Sequence, residues 1–179
     1  MKTVLVILTD GFEEIEAVSP IDLLRRAGAQ VTLASLTNST EVTGKCGITL
    51  KAETPLAECI NREFDLLVLP GGPGVASLRM DERVLELVRS RGSSGLPQAA
   101  ICAAPLVLLD AGVLAGKDYT AHYSCADELP DMKEDLAVVE DGNLVTSRGA
   151  GTAVAFGLRL VGLLFGEEKA VEIAESIHA

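Results

Sequence analysis

Residues 96–110, LPQAAICAAPLVLLD, place one cysteine between the signals for a strand and for a helix. The small and apolar residues 98–101 predict a short buried strand, and Pro105 followed by the apolar run 106–109 predicts the first turns of a helix. Cys102 then lies at the elbow between them. Because such an elbow turns one side chain toward the first free N–H groups of the helix, we expect the pKa of its thiol to fall below about 8.5. The segment predicts a cysteine nucleophile, although a free cysteine in a core is commonly inert.

Buried strands earlier in the chain predict an α/β fold. Residues 2–8, KTVLVIL, form an apolar run without polar alternation, which is typical of a central strand covered on both faces. Residues 30–35, QVTLAS, predict the second strand. A helix with one buried stripe is predicted between them over residues 12–27, and the stripe consists of Phe12, Ile15, Val18, Ile21, Leu24 and Ala27. This strand, helix and strand imply a parallel sheet with a right-handed crossover.

The remaining segments extend this pattern, and we interpret residues 1–179 as a single domain. The other predicted elements are a hairpin or excursion within 36–61, a buried strand from 64 that ends in the glycine-rich turn 70–74, a helix over 82–91, two short strands over 136–140 and 143–147, and helices that end at 165 and 177. A polar segment over 117–135 is predicted to be irregular, with a short strand near Tyr119 and a helical turn near Leu129. The predicted architecture is a parallel sheet sandwiched by helices.

Composition excludes several classes of partner. The chain has 26 acidic and 15 basic residues, a net charge of -11 and 3% aromatic residues, so neither a nucleic-acid groove nor an anionic membrane surface is predicted. The apolar run at the N-terminus is too short for a signal peptide, and no membrane span follows. Four cysteines without CxxC spacing predict reduced thiols in the cytoplasm. His122 and Cys125 form a single H-x-x-C pair without a second pair, so no metal site is predicted.

The topology brings three loops together at the carboxyl ends of the strands, where ligands bind in open parallel sheets. These loops follow the first strand, the third strand and the Cys102 strand. Glu16 of the first loop can share a proton with the thiol. The backbone N–H groups of Gly72 and Ala103 can receive negative charge on a substrate oxygen.

Four segments carry a resemblance to a known family. TDGFEEIEAVSPIDLLRRAG, LLVLPGGPG, AAICAAPLVLL and VTSRGAGTAVAFGL follow one another in this order over essentially the whole chain. Each motif alone is weak, but the four in order, with a cysteine after a strand, are specific. The chain resembles the ThiJ/PfpI superfamily and is similar to its branch of the parkinsonism-associated protein deglycase.

The resemblance implies a flavodoxin-like fold, as in class I glutamine amidotransferase domains, and usually a homodimer. It implies that Cys102 is the nucleophile and that Glu16 is the carboxyl group hydrogen-bonded to it. Gly72 and Ala103 would be the oxyanion donors, and His122 the nearby imidazole. Members of the superfamily are described as glyoxalases that need no glutathione, as deglycases, as chaperones and as oxidation sensors.

Several of these residues also have a plain structural interpretation. Glu16 could be a solvated carboxylate at a helix start, but a position next to Ile15 favours the buried flank, where desolvation raises a carboxyl pKa. His122 could be an exposed imidazole of a polar loop or a member of the site. Arg148 either binds an anion at a helix start or braces its loop. Gly71 belongs to the turn that would face the substrate.

The first functional hypothesis is a cysteine-dependent glyoxalase or deglycase without metal or organic cofactor. Its substrate would be a small α-oxoaldehyde such as methylglyoxal, free or as an early glycation adduct, and its product a 2-hydroxy acid such as lactate. Peptidases of the superfamily carry a histidine directly after the nucleophile, whereas Ala103 follows Cys102 here, so peptidase activity is not expected. The alternative hypothesis is a redox-responsive stress protein or chaperone that senses oxidation of Cys102 to sulfinic acid.

Overall fold

The computed structural model describes residues 1–179 and contains nine strands. In chain order the strands are β1 (Thr3–Leu8), β2 (Gln30–Ser35), β3 (Glu41–Thr43), β4 (Thr49–Lys51), β5 (Thr54–Pro55), β6 (Leu66–Leu69), β7 (Gln98–Ile101), β8 (Val138–Asp141) and β9 (Leu144–Ser147). Seven of them form one sheet in the order β5-β2-β1-β6-β7-β9-β8, and β3 and β4 form a separate antiparallel hairpin. The bounds of β2 and β7 agree with the prediction residue for residue.

The main sheet is parallel except at one edge. Strands β1, β2, β5, β6, β7 and β9 pair in parallel, and β8 pairs with β9 in antiparallel fashion. The difference arises because a turn at Gly142 and Asn143 joins β8 directly to β9, and a two-residue connection can only produce an antiparallel hairpin. The predicted flavodoxin-like α/β class is confirmed, with one antiparallel edge strand.

Seven helices cover the sheet. In chain order they are α1 (Glu14–Arg26), α2 (Leu56–Cys59), α3 (Val75–Met80), α4 (Glu82–Ser93), α5 (Pro105–Asp110), α6 (Ala153–Phe165) and α7 (Glu167–Ile177). The sequence analysis predicted neither α2 nor α3. Asp81 caps α4 as its side chain accepts a hydrogen bond from the Arg83 backbone N–H at 3.0 Å. No helix combines the length and the apolar composition that crossing a membrane requires.

The alternating side chains of β1 enter two cores, one on each face of the sheet. Val4, Val6 and Leu8 pack with α1 and α6, whereas Leu5 and Ile7 pack on the opposite face with α3, α4 and α5. Both sets are almost completely buried. The continuous apolar run of this strand is therefore explained by cover on both faces.

The predicted stripe of α1 is wrong at two positions. Ile15 and Val18 are 53% and 43% exposed, whereas Glu16 is 1% exposed. The helix begins at Glu14, two residues later than predicted, and its buried face is set by packing against α6. There Gly157 leaves room for Pro20 and Leu23, because a side chain at position 157 would collide with both.

The polar segment 117–135 also differs from the prediction. It contains no strand near Tyr119. The predicted helical turn near Leu129 is present as the 3₁₀ turn Tyr123–Cys125, after which the Leu129 N–H donates to the Cys125 carbonyl at 2.8 Å. The Thr120 backbone N–H donates to the Thr146 side-chain oxygen at 2.9 Å instead of joining a strand ladder. The segment is thus held by side-chain hydrogen bonds, which a hydrophobicity pattern does not reveal.

Candidate active site

Cys102 lies at the predicted elbow in a strained backbone conformation. Its φ is 66°. One other non-glycine residue, the penultimate His178, has a positive φ. For a side chain of this kind the left-handed region costs about 1–3 kcal/mol. Two hydrogen bonds hold the residue there, since its N–H donates to the Ser147 carbonyl at 2.9 Å and its carbonyl accepts from the His122 N–H at 2.8 Å.

Gly71 lies between the cysteine and the carboxyl group of Glu16. Its backbone N–H donates to Glu16 Oε2 at 3.0 Å. A Cβ atom at position 71 would overlap both this carboxylate oxygen and the Cβ of Cys102. Only glycine therefore allows the close approach of the three residues, which explains the sequence requirement of the PGG turn.

Glu16 is almost inaccessible to solvent and keeps its proton unusually well. Burial raises its pKa to about 7, and the charge of Glu13 adds to the effect. Hydrogen bonds with Cys102 and with the Gly71 N–H act in the opposite direction, as does the charge of Lys45. The raised pKa agrees with the expectation for a desolvated carboxyl group. The buried face of α1 that carries Glu16 differs, however, from the stripe predicted from the sequence, since Ile15 and Val18 of that stripe are exposed.

The pKa of Cys102 does not fall as predicted. Burial raises it to about 12, and the charge and hydrogen bond of Glu16 raise it further in the same direction. The backbone N–H groups of Gly72 and Ala103 donate to the sulfur and lower it. The predicted effect of the elbow N–H groups is present, but burial and the neighbouring carboxylate outweigh it.

Glu16 and Cys102 therefore titrate as one unit, which we call the Glu16–Cys102 pair. The pair loses its first proton near pH 7 and its second near pH 12. Between these values it carries one negative charge and one proton, and a hydrogen bond joins the two groups. Because the thiol has the higher pKa of the two, the shared proton resides mainly on the sulfur, and the Gly71 N–H stabilises the charged carboxylate at 3.0 Å.

His122 lies beside this pair through its backbone and its ring. Its Nδ1 is 2.8 Å from the Ser124 hydroxyl, and its ring contacts that of Tyr123 in a tilted arrangement with a centroid distance of 4.2 Å. A Cβ at position 149 would touch both the His122 ring and Glu16 Oε1, so Gly149 separates the two side chains. Sequence analysis missed Gly149, although the glycine-rich SRGAG turn was a usable signal.

Arg148 braces its loop. The side chain is exposed, and its Nη1 donates to the Glu134 carbonyl at 2.9 Å. It also lines a cavity of about 540 Å³ together with His122, Gly149 and the side chains of Glu134 and Asp135. Cys102 and Glu16 do not line this cavity, which adjoins the pair at His122 and Gly149.

A second missed feature holds the loop that contains Gly149. The buried Ser147 hydroxyl donates to the Ala137 carbonyl at 2.8 Å and lies 2.6 Å from the Thr152 hydroxyl. Thr152 in turn accepts from the Gly149 N–H at 3.2 Å. No cluster of three or more His, Cys, Asp or Glu side chains converges on a point where a metal ion could bind.

Comparison with known proteins gives consistent results. The model of the DJ-1/PfpI family matches residues 2–163 of this chain. Protein dj-1beta of Drosophila melanogaster is 41% identical over 180 residues, which cover 98% of this chain and 96% of that protein. The deglycase PfpI of Pyrococcus furiosus is 35% identical over 164 residues, which cover 90% of this chain and 98% of that protein.

Solved structures show the same similarity. The crystal structure of Drosophila melanogaster DJ-1beta superposes with a TM-score of 0.96 and covers 99% of this chain and 98% of that chain. The structure of oxidized Toxoplasma gondii DJ-1 superposes with a TM-score of 0.94 at 35% identity, with the same coverage of both chains. The similarity thus extends over nearly the whole molecule.

Replacement of Glu16 by glutamine tests the pairing. In the wild type, alkylation of Cys102 by iodoacetamide is expected to rise in two steps, near pH 7 and near pH 12. In Glu16→Gln we expect one step between these values. Loss of the carboxylate lowers the pKa of the thiol from about 12. The midpoint should stay above about 7. In the wild type the first proton, released near pH 7, can come from either group, so the thiol alone cannot lose its proton at a lower pH.

The measurement is the pH dependence of the alkylation rate, followed at the Cys102 peptide by mass spectrometry. Glu172→Gln, which removes an exposed carboxylate of α7, is the control and should keep the wild-type profile. An unchanged profile in Glu16→Gln would contradict the pairing.

Proposed function

The chain belongs to the DJ-1/PfpI family, and from this premise we propose that it is a cysteine-dependent glyoxalase or deglycase. Its substrates are methylglyoxal-type α-oxoaldehydes or their early adducts with amines and thiols, and its products are 2-hydroxy acids such as lactate. The observation that carries the proposal is the Glu16–Cys102 pair, in which a buried carboxyl with a pKa of about 7 hydrogen-bonds a thiol. The name of the Pyrococcus furiosus relative, deglycase PfpI, supports the same class of activity.

The reaction begins with addition of sulfur to the aldehyde. The thiol proton passes to Glu16, the sulfur forms a bond to the aldehyde carbon, and the electron pair of the C=O double bond moves to oxygen. We assign the stabilisation of this oxyanion to the N–H groups of Gly72 and Ala103, which lower the pKa of the thiol in the free protein. Glu16 then returns its proton to the oxygen and gives a neutral hemithioacetal.

The second stage moves hydrogen between adjacent carbons. A base removes the proton from the former aldehyde carbon and gives an enediol-like intermediate, and a proton returned to the neighbouring carbon yields a thioester. Water hydrolyses the thioester to lactate and restores the thiol. Glu16 suits this work because its pKa of about 7 lets it accept and donate at neutral pH.

His122 is the second candidate for proton transfer. Its Nδ1 is engaged by Ser124, whereas its Nε2 has no hydrogen-bond partner and is free to meet a substrate oxygen. We assign to it the orientation of the substrate or the movement of a proton at that atom.

The cavity beside His122 supports adducts as substrates. Methylglyoxal has only five non-hydrogen atoms, whereas a volume of about 540 Å³ lies in the range of pockets that bind drug-sized ligands. The unpaired carboxylates of Glu134 and Asp135 and the free donors of Arg148 supply charges for the amino-acid part of an adduct.

We further propose that the chain assembles as a homodimer through α1. Ile15 and Val18 on this helix are 53% and 43% exposed, and Ile48 at the adjoining hairpin is 56% exposed. The hairpin is fastened to α1, because Glu14 Oε1 accepts from the Cys46 N–H at 2.7 Å. Exposed apolar side chains on one face are typical of an interface between copies.

Sedimentation velocity tests the assembly. The wild type is expected to sediment as a dimer, and Ile15→Glu is expected to sediment as a folded monomer, since a charge would be buried without a partner at the interface. Val171→Glu, at an exposed position of α7, is the control and should remain dimeric. A monomeric wild type at micromolar concentration would refute this part of the proposal.

Turnover of methylglyoxal without glutathione or added metal tests the activity. The wild type should produce lactate, and Cys102→Ser should lower kcat/KM by about 10³-fold or more, because a neutral hydroxyl is a far weaker nucleophile. Cys46→Ser removes an exposed thiol and should leave the rate unchanged. Parallel assays with the N-acetylcysteine hemithioacetal compare adduct and free aldehyde. Absence of lactate from the wild type with both substrates would overturn the proposal.

A second candidate function is oxidation sensing through Cys102, in a stress protein or chaperone. The observation in its favour is that the Toxoplasma gondii relative was solved in an oxidized form. In this chain the Glu16 carboxyl could donate a hydrogen bond to a sulfinate oxygen, and the N–H groups of Gly72 and Ala103 could donate to it as well.

Intact mass after mild peroxide treatment tests the sensor. We expect Cys102 to gain two oxygen atoms before Cys46 or Cys125 changes, because its sulfur has N–H donors that stabilise the charged product. Peptide mapping assigns the modified residue, and Cys102→Ser should show no such gain. Oxidation of Cys46 with an unmodified Cys102 would eliminate the sensor function.

A further inference from the structure

Arg79, at the end of α3, makes two forked ion pairs outside the catalytic site. Its Nε and Nη2 donate to the two oxygens of Asp110 at 2.6 and 3.0 Å. Its Nη1 and Nη2 donate to the two oxygens of Glu128 at 3.0 and 2.6 Å. Two bidentate carboxylates on one guanidinium define both the distance and the plane of the partners.

Each member of this Arg79 clamp, formed by Arg79, Asp110 and Glu128, lies a short distance after a residue of the site. Arg79 lies in the last turn of the helix that follows the Gly72 turn, and Asp110 ends the helix that follows Cys102. Glu128 follows His122 through the 3₁₀ turn, where the Cys125 N–H donates to the His122 carbonyl at 2.9 Å and the Glu128 N–H donates to the Cys125 carbonyl at 3.0 Å. The clamp therefore joins the far ends of three segments whose near ends meet at the sulfur.

The three segments also pack in one hydrophobic core, which contains Leu78 of α3, Val107 of α5 and Leu129 of the polar segment. Apolar packing is non-directional, so hydrogen bonds define the orientation of the segments more closely. The Cys102 carbonyl and the His122 N–H form one hydrogen bond of 2.8 Å. Beyond the 3₁₀ turn the polar segment has no regular secondary structure. At its other end Glu128 adds a directional connection, the forked hydrogen bonds from Arg79.

We infer that Arg79 is a positioning residue that sets the relative placement of Gly72, Cys102 and His122. It does not touch the reacting atoms. Its effect on the site passes through α3, α5 and the 3₁₀ turn. Small displacements of catalytic groups lower the reaction rate strongly, since a shift of about 1 Å can change a rate about 100-fold. Lysine cannot replace it, because an ammonium group cannot form two parallel forks.

The charges of Arg79 and Glu128 persist near neutral pH. The hydrogen bonds to Asp110 and Glu128 raise the pKa of Arg79, and the hydrogen bond from Arg79 lowers the pKa of Glu128. Both groups therefore stay charged near neutral pH. A change in the pH profile of Cys102 after loss of the clamp would thus report displaced N–H donors and not the titration of the clamp itself.

This inference rests on the proposed function only in taking Cys102 as the reacting thiol, and alkylation of that thiol needs no turnover. Arg79→Met and Arg79→Lys are compared with Arg159→Met. Arg159 is a matched control, because it also binds two carboxylates, Glu140 and Glu167, but joins α6, β8 and α7 instead.

We expect Arg79→Met to lower the alkylation rate constant of Cys102 by about tenfold and to shift its pH midpoint. Arg79→Lys should recover only part of the rate, and Arg159→Met should keep both quantities. With methylglyoxal, kcat should fall more than KM rises. Urea unfolding of all variants identifies any loss of stability that the two arginine substitutions share.

Double-mutant cycles separate the two arms of the clamp. Glu128→Gln releases the His122 segment and Asp110→Asn releases the Cys102 helix, so each should reproduce part of the Arg79→Met effect and add little to it. If Arg79→Met does not fold, Glu128→Gln and Asp110→Asn test the positioning role of the clamp in its place. Equal behaviour of Arg79→Met and Arg159→Met, or full additivity in both cycles, would overturn the inference. Absence of lactate from a wild type whose alkylation still depends on Arg79 would refute the proposed function alone.

Discussion

The lack of a side chain at Gly71 is the constraint on which the site depends. A methyl group there would occupy the space that Glu16 Oε2 and the Cβ of Cys102 share. With glycine, the backbone N–H reaches the carboxyl group at 3.0 Å and the thiol can approach from the other side. Parallel strands make this possible, because the carboxyl ends of β1, β6 and β7 lie on the same side of the sheet. The loops that follow these strands are therefore neighbours.

Desolvation then decides the chemistry of the Glu16–Cys102 pair. In water a glutamate carboxyl group releases its proton at about pH 4, so it cannot donate a proton at neutral pH. In the buried site the pKa of Glu16 rises to about 7, and over the range up to that of the thiol the pair holds one proton between oxygen and sulfur. Such a pair can deliver a nucleophile and recover a proton in one cycle. It can equally stabilise an oxidised sulfur, so catalysis and oxidation sensing make similar demands on the site.

The wider fold holds the loops that the site needs but that contain little regular structure. Ser147 and Thr152 hold the turn at Gly149, and the Arg79 clamp joins the segments that follow Gly72, Cys102 and His122. Exposed ion pairs contribute little to stability individually. The inferred role of the clamp is positional and does not depend on its contribution to stability, since one guanidinium plane orients three segments of backbone.

The sequence by itself determined the α/β class, the strands β2 and β7 and the cysteine elbow. Continuous apolar runs occur where a strand is covered on both faces, and a strand that meets Pro105 must turn, so both signals are local. The four motifs also indicated the family that the comparisons confirm. Tertiary structure decided which face of α1 is buried, because spacing alone could not reveal that Ile15 points outward and Glu16 inward. It also decided that the pKa of the Cys102 thiol rises, since burial depends on every element around it. The Arg79 clamp joins residues 31 and 49 positions apart, and contacts at such separations leave no periodic trace in a sequence.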